Sequence, residues 1–182
     1  MKIIVGLGNP GEQYKNTRHN VGWIFLDSLV DNKNWKVNKK FNALTYKDGD
    51  ILFIKPLTFM NNSGQSVYKA LDYYGLIQKR LGIFKKKDED LSDCLTVIQD
   101  DLDIDFGNYK IATDSGSAGH KGINSIMTYL KTKKFKRLRI GVKNELLRTK
   151  IPAEKFVLQS FNKKELEEMK ILAKTLSQVA TE

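Results

Sequence analysis

A short β-branched run, Lys2-Ile3-Ile4-Val5, stops abruptly at Gly6-Leu7-Gly8-Asn9-Pro10-Gly11, and this junction constrains the chain more than any other feature. An apolar run of this length, bounded by glycines and a proline, reads as a buried strand whose C-terminal end opens into a tight loop. In open α/β sheets that end is where ligands bind. The loop carries Asn9, Tyr14, Arg18 and His19: a carboxamide, a phenol, a guanidinium and one of only 2 histidines in the chain. A loop that merely reversed direction would not need them.

Hydrophobic periodicity extends the pattern. Val21, Ile24, Phe25 and Leu29 recur at helical spacing, which predicts a helix over 21–32. Segments 43–47 and 51–55 read as strands around the hairpin turn Asp48-Gly49-Asp50. A helix over 66–74 stops at Gly75. Strands are expected at 95–99, 109–112 and 138–142, with helices at 123–130 and from 163 to about 180. Such alternation predicts the α/β class, with a twisted, mixed and mostly parallel sheet flanked by helices. At 182 residues the chain is long enough for a single domain, 1–182, with a real core. Residues 78–93, with Lys85-Lys86-Lys87 followed by Asp88-Glu89-Asp90, read as a charged loop insertion.

Composition narrows the class of partner. A net charge of +10 favours a polyanion, and the basic residues cluster at Lys39-Lys40, Lys79-Arg80, 85–87 and 131–139. A lysine- and asparagine-rich composition also arises without any such partner, so charge alone suggests nucleic acid without identifying it. No apolar stretch is long enough to span a bilayer. The lone Cys94 reads as a small hydrophobe beside a strand and fits a reducing compartment. A cytoplasmic protein is expected, with no membrane association and no obligate protein partner.

Two histidines make the search for chemistry short. Asp100-Asp101-Leu102-Asp103 follows the strand predicted at 95–99, so its carboxylates are expected at a strand end, on the same rim as His19. Asn61-Asn62-Ser63-Gly64 follows the strand at 51–55, and His120 lies within the glycine-rich 116–122. An imidazole held by a carboxylate is the minimal unit that activates water. The carboxamides of Asn9 and Asn61 are suited to positioning that water and polarising a carbonyl. There is no Gly-x-Ser-x-Gly elbow, and the histidines and acids lack metal-site spacing. Direct hydrolysis, with no metal and no cofactor, is the economical reading. Gly6-x-Gly8-x-x-Gly11 also fits the dinucleotide fingerprint, but that fingerprint needs a helix to begin at once, and 12–20 has no apolar stripe.

The opening GLGNPGEQYKNTRHNVG resembles the signature of bacterial-type peptidyl-tRNA hydrolases. Lys55-Pro56-Leu57-Thr58-Phe59-Met60-Asn61-Asn62-Ser63-Gly64, Asp100-Asp101-Leu102-Asp103, 115–122 and Arg137-Leu138-Arg139-Ile140-Gly141 resemble four further motifs of that family, in order, over most of the chain. The resemblance implies an enzyme that cuts the ester joining a peptide to the 3′ ribose of tRNA and returns free tRNA to translation. It implies His19 as general base, Asp100 as its orienting carboxylate, and Asn9 and Asn61 on the peptide carbonyl or the water. Tyr14 would hold the 3′ end, and Met60, His120 and Lys121 would belong to the substrate site. Arg139 and Arg148 would meet tRNA phosphates. It further implies a monomer whose partner is peptidyl-tRNA.

Three departures stand out. The family usually has Asn where this chain has Lys121, and a lysine there offers charge in place of hydrogen-bond geometry. Lys110 is followed by Ala112 where two basic residues are usual. The connection around 79–90 is about ten residues longer than the family leads one to expect, and long for a loop inside a domain. The alternative is a catalytically weak RNA-binding protein of the same fold, for which Lys121 is the main argument.

Overall fold

The computed structural model describes residues 1–80, 84–85, 87–147 and 151–181. Its strands and helices, in chain order, are β1 (Lys2–Gly6), α1 (Val21–Leu29), β2 (Lys36–Asn38), β3 (Ala43–Asp48), β4 (Ile51–Pro56), α2 (Ser63–Tyr73), β5 (Lys79–Arg80), β6 (Phe84–Lys85), β7 (Leu95–Asp105), β8 (Tyr109–Ala112), α3 (Lys121–Leu130), β9 (Lys136–Lys143), α4 (Ala153–Phe156), α5 (Lys163–Thr175) and α6 (Ser177–Thr181).

The two-residue period of a strand sends alternate side chains to opposite faces, and here both faces are covered. Ile3 and Val5 of β1, Leu52 and Ile54 of β4, and Leu95 and Val97 of β7 enter one core with Val67 of α2 and Ile126 of α3. Ile4, Phe53, Ile98 and Leu138 enter the other, with Phe25 of α1 and Met169 of α5. The sheet runs β2-β3-β4-β1-β7-β9-β8. Neighbours β4, β1, β7 and β9 are parallel, and the edge strands pair antiparallel. This is a single α/β domain with a mixed, mostly parallel sheet between helical layers. Because β1 lies centrally, with β4 on one side and β7 on the other, its C-terminal end is the point where the chain's path across the sheet reverses, the usual place for a ligand crevice.

Several boundaries differ from the sequence expectation for physical reasons. β7 continues to Asp105, so Asp100–Asp103 lie within the strand and not in a loop beyond it. The pairing of Asp100 with Ile140 and Asp101 with Gly141 of β9 keeps the polar stretch in the ladder. The helix expected to end near 32 stops at Leu29 and gives way to a short 3-10 turn, Asn32–Asn34. β2 carries no strong apolar pattern, being mostly exposed at the sheet's edge, and was not expected. The C-terminal helix is divided at Leu176 into α5 and α6. Phe135 is fully buried, and the Cys94 thiol is half-buried with its pKa raised by burial.

The described part of the 78–93 insertion is anchored where a solvated loop was expected. The Gln78 N–H donates to both Glu89 carboxylate oxygens at 3.0 and 3.1 Å, the Thr132 hydroxyl donates to the Glu89 carbonyl at 2.7 Å, and Leu91 is buried. Residues 81–83 and 86 lie outside the described residues.

The glycines of the opening serve helix packing. A Cβ on Gly22, in the first turn of α1, would stand 2.5 Å from the Leu7 nitrogen and 2.6 Å from the Ile98 carbonyl oxygen. A Cβ on Gly6 would strike the Gly22 carbonyl from the other side. Glycine at both positions lets α1 press onto the end of β1, which fixes where the residues just before α1 must lie. Gly22→Ala is therefore expected to lower unfolding stability by about 1–3 kcal/mol, as overpacking against backbone does. An unchanged urea midpoint would refute the close approach.

Candidate active site

Since β1 ends at Gly6, opposite Ile98, while β7 runs on, the loop after β1 passes beside Asp100. His19 sits in that loop, in a 3-10 turn (Arg18–Asn20) just before α1. Its position is set by a distant part of the chain. The His19 N–H donates to the Val157 carbonyl at 2.8 Å and the Arg18 N–H to the Gln159 carbonyl at 2.9 Å. Arg18 is buried between the rings of Phe156 and Phe161, 4.8 Å from each centroid, and donates to Glu165 at 2.8 Å. The segment 157–161 thus clamps the loop from outside.

Two imidazoles converge on one carboxylate. His19 Nδ1 lies 2.8 Å from Asp100 Oδ1, and His120 Nε2 lies 2.9 Å from the same oxygen. His120 is the N-cap of α3, and its Nδ1 accepts from the Gly122 and Ile123 N–H groups at 3.1 and 3.3 Å. A nitrogen that accepts there holds the lone pair, so the Nε2 hydrogen points at Asp100 and both ring nitrogens of His120 are used. His120, expected in the substrate-binding set, lines the cavity described below and also fastens Asp100 to the start of α3. His19 Nδ1–H donates to Asp100 in the same way, which leaves the lone pair on its Nε2.

His19, Asp100 and His120 are of metal-ligating types and lie close enough together to suggest an ion. The hydrogen bonds argue otherwise. The Nε2 of His120 carries its hydrogen toward Asp100, and freeing that nitrogen for a metal would set an Nδ1–H against two helix N–H groups.

Asp100 is fully buried. Burial works against its ionisation, but the two imidazoles, through charge and hydrogen bonds, hold the carboxyl well below the usual carboxylate range. For His19, burial is the largest single influence and favours the neutral ring. The charge and hydrogen bond of Asp100 together outweigh it, so the pKa is raised, while the Lys121 ammonium pulls the other way.

The carboxamides have fixed roles. Asn9 Oδ1 accepts from the Met60 N–H at 2.8 Å, so the NH₂ end of Asn9 remains as the donor. Asn20, fully buried, grips the backbone of Asn9 from behind: its Oδ1 accepts from the Asn9 N–H and its Nδ2 donates to the Asn9 carbonyl, both at 2.9 Å. The sequence reading did not single out Asn20, although it adjoins His19 in Thr17-Arg18-His19-Asn20. A fully buried amide beside the proposed base was the signal, and it is visible only once burial is known.

A cavity of about 500 Å³ joins these groups, and Asn9, Tyr14, His19, Met60, Asn61 and Lys121 all line it. Phe59, Leu102, Val157 and Leu158 add an apolar wall. Among the described residues Lys121 is the one lysine or arginine in the lining. Arg139 is not in the lining, and its Nε is bound to Asp101 at 2.6 Å. Arg148 lies outside the described residues.

A family model described as peptidyl-tRNA hydrolase matches residues 3–182. The chain belongs to this family. It is 41% identical to the peptidyl-tRNA hydrolase of Bacillus subtilis (strain 168) over 175 residues, covering 93% of this chain and 84% of that one. It is 38% identical to that of Latilactobacillus sakei over 168 residues, with 90% and 85% covered. Its fold superposes on the crystal structure of peptidyl-tRNA hydrolase from Acinetobacter baumannii with a TM-score of 0.73 at 27% identity, covering 99% of this chain and 92% of that one. The family membership expected from the motifs thus holds over the whole fold and not just at the motifs.

The balance of forces on His19 can be measured. Its NMR titration is expected above the ordinary value of about 6.5. In Asp100→Asn the carboxylate charge is gone while burial and Lys121 remain, so the pKa should drop below the wild-type value. A wild-type His19 titrating at or below about 6.5 would contradict the stated balance.

Proposed function

We propose that this protein hydrolyses the ester between the peptide and the 3′ ribose of tRNA, releasing tRNA for reuse. The observation that carries the proposal is the His19–Asp100 pair in a cavity where the free NH₂ of Asn9 supplies an oriented donor. In this reading His19 Nε2 takes a proton from water as the oxygen attacks the ester carbonyl. Asp100 keeps the ring in the right tautomer and stabilises the imidazolium that forms. The Asn9 amide, with that of Asn61, donates to the developing oxyanion or to the water. Collapse of the tetrahedral intermediate breaks the bond to the ribose oxygen, and His19 returns the proton to that oxygen. The products are a peptide carboxylic acid and tRNA with a free 3′-hydroxyl, and no cofactor enters.

Tyr14 and Met60 in this reading help shape the site for the 3′ end, and Lys121 offers a cation to it. The net charge of +10 suits a polyanionic partner. Among the described residues no helix is long and apolar enough to cross a membrane. We assign the protein to the cytoplasm as a monomer on the strength of this substrate. Arg139, bound to Asp101, contributes to phosphate binding only through its remaining nitrogens or after that pair opens.

The test is release of tRNA from N-acetyl-aminoacyl-tRNA. His19→Ala should lower kcat by about a hundredfold to ten-thousandfold, the usual contribution of a positioned base, while tRNA affinity and fold persist. Asp100→Ala should cost less, because the imidazole remains although misoriented. Undiminished turnover in His19→Ala would remove the base from the mechanism, and tRNA binding without turnover by the wild type would favour the RNA-binding alternative.

Lys121→Asn probes the departure from the family motif separately. His19 must be neutral to act, so activity rises as pH passes upward through its pKa. The Lys121 ammonium disfavours the imidazolium, so removing it should move the acid limb of the kcat profile to higher pH. A limb that stays in place would show that the lysine does not act on His19.

A further inference from the structure

At the end of β4, two residues on from Phe53 and so on the face that carries α1, a lysine is buried among aromatic rings. Lys55 is 4% exposed, and its ammonium donates to the Asp27 carboxylate of α1. It lies 4.2 Å from the ring centroid of Trp35 and 5.4 Å from that of Trp23, both within the range of a cation–π contact. Trp23 and Asp27 stand four residues apart on α1 and so share a face of that helix. The two indole N–H groups are buried without a hydrogen-bond partner in the protein, so these rings serve through their faces and edges. Burial pulls the Lys55 pKa down, and the hydrogen bond and charge of Asp27 oppose it. Neither Lys55 nor its three neighbours line the cavity.

A buried cation costs free energy that an apolar side chain at the same strand end would not. The two arms of this cluster show what the cation holds. One arm is the indole of Trp23, which lies against Gly8: a Cβ there would stand 2.6 Å from Cδ1 and 2.9 Å from Nε1 of the ring. The other is the chain itself, which passes from Lys55 through Pro56 to Met60, whose N–H donates to Asn9 Oδ1 at 2.8 Å. Gly8 immediately precedes Asn9, so both arms end at one residue, the first on its backbone and the second on its side chain. We propose that Lys55 is a positioning residue for Asn9: by holding Trp23 against Gly8 and the end of β4 against α1, it fixes the direction in which the Asn9 amide donates. The inference rests on the role of Asn9 in the peptidyl-tRNA reading and adds to it the residue that aims that amide.

Lys55→Met keeps an unbranched side chain and removes the charge, while Asp27, a third exposed, can turn to solvent. On N-acetyl-aminoacyl-tRNA its kcat should fall about three- to tenfold with KM little changed, a part of what losing an oriented oxyanion donor costs. The side-chain amide resonances of Asn9 should shift, whereas the His19 titration should keep its wild-type value because Asp100 and His120 are untouched. Trp35→Phe is the control. It leaves Lys55 its bond to Asp27 and its contact with Trp23, so kcat should hold even where the unfolding temperature drops. Trp23→Phe keeps a ring over Lys55 but removes the indole edge beside Gly8, and it decides the matter where Lys55→Met does not fold. Unshifted Asn9 resonances or undiminished kcat in the folded Lys55 and Trp23 variants would overturn the assignment, as would an equal loss of kcat in Trp35→Phe. Absence of turnover in the wild type, with the Asn9 resonances still shifting in the variants, would instead overturn the peptidyl-tRNA reading and leave the link from Lys55 to Asn9 standing.

Discussion

The arrangement depends on a buried carboxylate that is kept ionised by two hydrogen-bonded imidazoles. Asp100 has no exposure to speak of, and a lone ion in such a place costs several kcal/mol. His19 and His120 offset that cost by donating to one and the same oxygen. The arrangement needs β7 to outrun β1 by several residues, so that the polar stretch 100–103 stays in the sheet while the neighbouring strand has already turned away. It also needs α3 to start where its first N–H groups can hold His120 by the other ring nitrogen. Sheet length, helix start and the tautomer of His19 are therefore linked through a single oxygen atom.

His19, the proposed base, is held from both sides by parts of the chain remote in sequence. Gly6 and Gly22 bring α1 against the end of β1, which leaves the 3-10 turn containing His19 little room. From the other side, backbone hydrogen bonds to Val157 and Gln159 zip this turn to the C-terminal segment, and Arg18 bolts the contact by inserting between two phenylalanines toward Glu165. Fixing a side chain in this way removes conformational freedom before substrate arrives, which is what orientation in catalysis requires.

Polar groups in and near the cavity divide by what they have left to offer. Asn9 has spent its oxygen on Met60 and its backbone on Asn20, so only its NH₂ remains. His120 has nothing left, and Arg139 has given one nitrogen to Asp101. Lys121 is the one lysine or arginine among the described residues that line the cavity. The net positive charge of the chain is thus kept mainly outside the places where the ester and its peptide would lie.

Local pattern was enough for the class of fold, because strands buried on both faces read as unbroken apolar runs and helices as 3.6-residue stripes: 2–5, 21–29 and 123–130 declare themselves. The motif residues Asn9, His19, Asp100 and Asn61 were legible too, since each is a reactive type at the end of such a run. What the pattern could not convey was partnership. β7 was read too short because 100–103 is polar, and only pairing with β9 extends the strand through it. The second role of His120 was hidden because its sequence does not say that α3 begins one residue later and needs a cap. The burial of Asn20 and Arg18 exists only because the sheet and the C-terminal segment close over them. Propensity and periodicity act over a few residues and leave their mark in the sequence, whereas hydrogen-bond partners and burial arise between remote segments, 147 residues apart in the Arg18–Glu165 pair, and exist only after the chain has folded.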